Sequence, residues 1–128
     1  MIIFVGMHNK PNKAPLCSST RSGKLIDKII NSSDLAPVEC LKTNLYNIDY
    51  YPKNYQQKVE LAFDWHNRIQ YDFMNDIIVL LGAEVHEYFI STKLFNKIIK
   101  LAHPSSMRSH IEMNDYVIRA INLIKGKL

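Results

Sequence analysis

Five histidines, a run of tyrosines and two cysteines carry most of the chemistry open to this chain. Histidine changes charge near neutral pH and ligates metals as the neutral imidazole. His8, His103 and His110 sit in stretches that read as loops or element ends and could gather at one metal ion, though no local spacing ties them together and no metal is assigned. His66 falls on the apolar face of a predicted helix, where packing is its expected work. His86 and Glu87 have no partner at metal-ligand spacing. Tyr46, Tyr50, Tyr51 and Tyr55 cluster in ten residues. They are either a stacking platform for bases or half-buried packing. Cys17 and Cys40 are too few for a disulfide framework or a four-thiolate cluster, and are expected as free thiols in a reducing compartment.

The basic residues are unevenly placed. The net charge is +4, yet residues 7–26 hold Lys10, Lys13, Arg21 and Lys24 without an acid, and residues 88–111 hold Lys93, Lys97, Lys100 and Arg108 without an acid. Residues 27–87 are net acidic. If the fold joins the two basic windows, they make one positive surface for an anion, and DNA or RNA is one candidate. Otherwise they are exposed charges that fell this way by chance.

These residues need elements to position them. A chain of 128 residues predicts one domain, here residues 1–128, with a core that needs no staples. Its 47% hydrophobic content excludes a disordered chain, and no apolar run reaches the length of a membrane span. Met1–Met7 lacks a basic leader and reads as a first strand, not a signal peptide, so a cytoplasmic protein is expected. Ile2–Val5 ends at Gly6 as a strand; residues 7–21, with Pro11 and Pro15, are loop; Leu25, Ile26, Ile29 and Ile30 mark a helix from Ser22. Cys40–Tyr46 reads as a second strand. Val59, Ala62, Phe63, His66 and Ile69 mark a helix over 55–71. Asp76–Gly82 is an unbroken apolar strand, as expected for burial on both faces. A helix follows over Ala83–Ser91, then a strand over Lys97–Ala102, a loop at His103–Ser106, and a helix over 111–125 marked by Val117, Ile118, Ile121 and Ile124. Alternation of this kind demands an α/β fold: a three-layer α/β/α sandwich around a four-stranded parallel sheet. Ligands of such sheets sit outside the carboxyl ends of the strands, which here are residues 6–22, 44–54, 82–84 and 103–110.

Four short patterns on these elements carry a resemblance. Val5-Gly6-Met7-His8-Asn9, Lys42-Thr43-Asn44-Leu45-Tyr46, Ile78-Val79-Leu80-Leu81-Gly82-Ala83-Glu84 and His103-Pro104-Ser105-Ser106-Met107 occur in the order and on the elements of the uracil-DNA glycosylase superfamily. The resemblance spans Ile2 to about Arg108. It implies a glycosylase that extrudes a base, reads its pairing edge and stabilises charge as the glycosidic bond breaks. On that reading His103 stabilises the departing base. Asn44 reads the base edge, since an amide offers both a donor and an acceptor. Gly6, Met7 and Leu16 surround the base. Met107 wedges into the stack. Lys10, Arg21 and Arg108 hold phosphates, with Ser105 and Ser106, and Ser18, Ser19 and Thr20, as neutral contacts.

The departures from the family are specific. Its active members carry Asp, Asn or Glu in the first motif for the attacking water; here His8 stands there with Asn9 beside it, one able to act as a base and the other to orient water. No Phe, Trp or Tyr occurs between Val5 and Leu45, so the family's stacking aromatic is absent or replaced by Leu16 or by a residue from elsewhere. Lys10 stands where selective members have a thymine-rejecting tyrosine. The expected function is hydrolysis of the bond to uracil or another altered pyrimidine in DNA, without a cofactor, membrane or obligate protein partner. The alternatives are an inactive nucleic-acid or nucleotide binding module on the same fold, and a hydrolase of a free nucleotide or nucleoside.

Overall fold

The computed structural model describes residues 1–92 and 94–128; Lys93 of the second basic window lies outside the described residues. The order is β1 (Ile2–His8), α1 (Arg21–Ile30), β2 (Cys40–Tyr46), α2 (Tyr55–Arg68), β3 (Ile77–Leu81), α3 (Ala83–Thr92), β4 (Lys97–Leu101), a 3-10 turn at Pro104–Ser106, and α4 (His110–Lys125). The four strands form one parallel sheet in the order β2-β1-β3-β4. The chain steps one way from β1 to β2, then crosses back over β1 to β3 and on to β4. Right-handed crossovers therefore place α1 on one face and α2 and α3 on the other. Packing agrees: Ile2, Phe4, Val79 and Leu81 meet α1 and α4, while Ile3, Val5, Ile78 and Leu80 meet α2 and α3. Helices on both faces of one sheet make the three layers predicted by the sequence. Both faces of β3 are buried, which is why its sequence is apolar throughout rather than alternating.

Two differences from expectation have physical causes. The first strand does not end at Gly6 but runs to His8, because Gly6 and His8 pair in register with Asn44 and Tyr46 of β2. Helix α2 turns a different face inward. It buries Ala62 and Trp65 and leaves Val59 and Phe63 exposed, at 48% and 66%. The orientation follows the largest apolar group: Trp65 is fully buried among Tyr71, Phe89 and Phe95, and its Nε1 donates to Thr43 Oγ1 at 3.0 Å. His66 sits at the boundary, its ring nitrogens on the hydroxyls of Tyr71 and Tyr88.

Thr43 ties this packing to the sheet. Its hydroxyl donates to the Phe4 carbonyl at 2.8 Å while accepting from Trp65. Thr43→Val keeps the shape and leaves the buried indole N–H without a partner. The expected cost is about 2 kcal/mol, the usual penalty for a stranded buried donor, read as a lower urea midpoint at unchanged slope.

Candidate active site at the carboxyl ends of the strands

The strand order reverses between β1 and β3, and the crevice of such a sheet opens there. The structure has two hollows at this end that share His8, Lys10, Ser22 and His103. The inner one, about 40 Å³, is bounded by Leu16 and Asn44 and has room for roughly three waters. The outer one is about 240 Å³ and reaches Met7 and Ser105. No carboxylate lines either hollow, and Lys10 is the one Lys or Arg that does, among the described residues.

Asn44 forms the floor. It is 2% exposed, and its Nδ2 donates to Asn9 Oδ1 at 2.7 Å. Its Oδ1 is buried and has no hydrogen-bond partner among the described residues. An unpaired buried acceptor costs about 1–3 kcal/mol, so it marks a place where a ligand donor would be welcome. The space for it comes from Gly6, its partner in the ladder: a Cβ at Gly6 would lie 2.3 Å from Asn44 Oδ1. Leu16 covers the same spot. It is buried at a φ of 49°, a left-handed conformation that costs a leucine on the order of 1 kcal/mol and turns its side chain into the hollow.

The two histidines of the crevice are held in opposite tautomers. His8 Nδ1 lies 3.0 Å from the Asn9 carbonyl, which only accepts, so Nδ1 carries the proton and Nε2 keeps a lone pair. His103 Nδ1 accepts from the Ser105 backbone N–H at 3.2 Å and from the Ser105 hydroxyl at 2.8 Å, so its proton sits on Nε2. Pro104 and the 3-10 turn fix that geometry, and Ser106 Oγ donates to the His103 carbonyl. Burial first, then the charge of Lys10 and of His8 whenever that ring is protonated, holds the His103 pKa below its ordinary 6.5, which favours the neutral ring with its Nε2–H as donor.

His66 shifts the same way, through burial alone. A histidine whose folded pKa is depressed leaves the native state with fewer bound protons than the unfolded chain. Stability is therefore expected to be level above about pH 6.5 and to fall as the pH drops below it, over the interval down to the depressed folded values. Urea midpoints measured at pH 7.5, 6.5 and 5.5 test this, and His66→Phe should flatten the fall.

The other predicted residues divide. Asn9 Oδ1 accepts from Asn44 and its Nδ2 donates to Asn47 Oδ1 at 3.3 Å, so it orients Asn44. Arg21 is exposed, but its guanidinium donates to the Met107 carbonyl, which joins the start of α1 to the His103 segment. Met107 follows the turn closed by its N–H on the Pro104 carbonyl, and its half-buried side chain packs partly against the core cluster that holds α1 and α4. Ser105 and Ser106 turn their hydroxyls onto His103. Ser18 Oγ accepts from Lys42, and Thr20 caps α1 by accepting from the Gly23 N–H. Arg108 is exposed. Of the described bases of the second window, Lys97 begins β4 at the opposite end of the sheet and Lys100 is exposed along that edge strand, so neither lines the crevice. His110 opens α4 on the surface, and no group of three His, Cys, Asp or Glu side chains that could hold a metal occurs among the described residues.

Comparison of the chain with protein-family models, curated proteins and solved structures finds no match. The site is therefore read from its own geometry.

Two groups near it were not assigned to the crevice from the sequence. Tyr51 places its ring edge-on to His8, at 6.3 Å between centroids, and is held by Glu84, which accepts from both Tyr51 and Tyr46 at 2.7 and 2.6 Å. The four tyrosines thus do not form one platform: Tyr46 is buried on Glu84, and Tyr55 stands 80% exposed on α2. Cys17 also lines the inner hollow. Its position three residues before the Thr20 cap was the available hint. No described helix is long and apolar enough to cross a membrane.

Proposed function

We propose that the crevice binds a pyrimidine and hydrolyses its N-glycosidic bond, as a compact uracil-DNA glycosylase-like enzyme acting on uracil or another altered pyrimidine in DNA. One observation carries the reading: a buried acceptor without a partner, Asn44 Oδ1, shares a cavity with a free imidazole N–H, His103 Nε2. A uracil edge supplies the matching N3–H and carbonyl oxygens. In the proposed reaction the oxygen of water attacks the sugar C1′ and the C1′–N1 bond breaks. The electron pair leaves with the base and spreads onto its O2, where the His103 N–H stabilises it. His8 Nε2 accepts the water's proton, the role an acid side chain would otherwise take. Asn9 and Asn47 hold Asn44 in place, and Leu16 supplies an apolar lid in place of an aromatic stack.

The test is incubation with uracil-containing single- and double-stranded oligonucleotides, followed by alkali to cut abasic sites. Cleavage is expected from the native chain and its loss from Asn44→Ala and His8→Ala. Cleavage that survives both changes would overturn the site assignment, and its absence from the native chain would overturn the reaction.

A second reading, a hydrolase of free nucleotides or nucleosides, is favoured by the sparse phosphate contacts: among the described residues Lys10 is the one Lys or Arg that lines the hollows, Arg21 is engaged by the Met107 carbonyl, and Met107 packs partly against the core. Duplex binding should weaken by orders of magnitude from 50 to 200 mM salt if many phosphates are held. A shallow slope selects the free nucleotide.

A further inference from the structure

The glycosidic reaction leaves one reactive side chain of the crevice unused. Cys17 lines the inner hollow together with Asn44 and Lys10. Its Sγ lies 3.3 Å from Ser19 Oγ. That hydroxyl oxygen already accepts from Lys13 Nζ at 2.7 Å, so its own hydrogen is free to point at the sulfur. The residue is fixed by α1, whose cap Thr20 donates its N–H and its hydroxyl to the Cys17 carbonyl at 2.9 and 2.7 Å. The sulfur thus stands in the loop that leads into α1, at the end of a relay from ammonium to hydroxyl to sulfur. Facing it are Lys13, Lys42 of β2 with its partner Asp27 of α1, and, around the same hollow, Lys10, His8 and His103.

Cys40 is the contrast within the same chain. Burial pushes its thiol up from the ordinary 9.0, whereas the Ser19 hydrogen bond first, and then Lys13 and Lys42, bring the Cys17 thiol down. A lone thiol is not a site. What makes one here is the second feature of the hollow, the buried Asn44 Oδ1 that lacks a donor. A group attached at Cys17 and carrying an amide N–H has an acceptor waiting. A group carrying carboxylates meets Lys10 and no acid on the walls.

We propose that Cys17 is a thiol-modification site that takes a small anionic peptide disulfide, and that the attached half runs from the inner hollow beside Asn44 into the larger outer one. The thiolate attacks one sulfur of the disulfide; the old S–S bond breaks as the new one forms, and the other half leaves as a thiolate that takes a proton from water. Excess thiol reverses the exchange. The thiol exchange needs none of the glycosidic chemistry, although both readings place a donor on Asn44 Oδ1 in the same hollow, and separate readouts distinguish them.

The experiment uses glutathione disulfide on the whole chain at neutral pH, with intact mass and peptide mapping for the site. Cys17 should be modified about tenfold or more faster than Cys40, as expected for a thiol with greater thiolate character and access. Ser19→Ala and Lys13→Met should each slow Cys17 several-fold and leave the Cys40 rate unchanged, which also reports that both variants are folded. In an amide-resolved NMR spectrum, modification should shift the Gly6 N–H and the Asn44 side-chain amide, and dithiothreitol should restore them. Equal rates for the two cysteines, or variants without effect, would overturn the reactive site. Shifts confined to residues 15–20 would overturn occupation of the hollow. Failure of uracil excision would touch neither result.

Discussion

In the proposed reaction His103→Ala is expected to slow release of the base by about 10²–10³-fold, the usual loss when one donor aimed at developing negative charge is removed. The structure makes the donor unusually committed. Ser105 occupies Nδ1 from both its backbone and its hydroxyl, so the proton is confined to Nε2. Burial first, then Lys10 and a protonated His8, favour the neutral ring. In the proposed reaction a neutral ring donates to the leaving oxygen without being drawn away by a counter-ion, and no carboxylate among the described residues lines the hollows to supply one. The loss should fall in the single-turnover rate, with binding of a uracil-containing strand changed far less. Ser105→Ala separates orientation from mere presence. It removes the hydroxyl but keeps the backbone N–H, so the decline should be several-fold at most. A His103→Ala variant that weakens binding and leaves the single-turnover rate intact would show that His103 only holds the substrate.

Gly23→Ala is expected to destabilise the protein by about 3 kcal/mol and to dismantle the crevice. The substitution is a test of which effect wins. Gly23 lies inside α1, where alanine is favoured over glycine by about 1 kcal/mol. A Cβ there, however, would sit 1.9 Å from the Cys17 carbonyl oxygen and 2.5 Å from that of Leu16. Both are backbone atoms of the loop that carries Leu16 and Cys17 into the hollow, and backbone cannot swing aside as a side chain can. The loop must lift off α1, taking the Thr20 cap contacts to Cys17 with it. A fall in Tm of about 10 °C follows from the size of the chain. The Cys17 thiol should lose its selectivity over Cys40 in the same variant. A Gly23→Ala protein as stable as the native chain would mean that the loop is not seated on the helix as described.

The residues differ in how far their place could be read in advance. The apolar runs of β1 and β3 and the spacing of Leu25, Ile26 and Ile29 state their own secondary structure, because a strand buried on both faces and a helix buried on one have periods visible within ten residues. Element order then determined the parallel sheet, and the parallel sheet placed the crevice near His8, Asn44 and His103. Cys40–Tyr46 was legible to the residue. Helix α2 was less so. Two apolar stripes compete on it, and the choice of Trp65 over Val59 and Phe63 depends on Thr43, 22 residues away on β2.

Tertiary structure alone decided the chemistry within the crevice. Which nitrogen of each histidine holds the proton depends on a carbonyl at Asn9 and an N–H at Ser105, neither visible in residue type. Whether Asn9 serves water or Asn44 depends on a contact across 35 positions. Met107 lies one residue past a turn that sets its side chain partly against the core, a placement its residue type does not state. Cys17 gains its partners from a loop turned by a left-handed Leu16 and seated on Gly23. The sequence by itself thus determined the frame and the end of the sheet that opens. Its periodicity is local, and burial acts on residue types. Proton positions and side-chain roles come from single hydrogen bonds between distant segments, which exist only once the frame has closed.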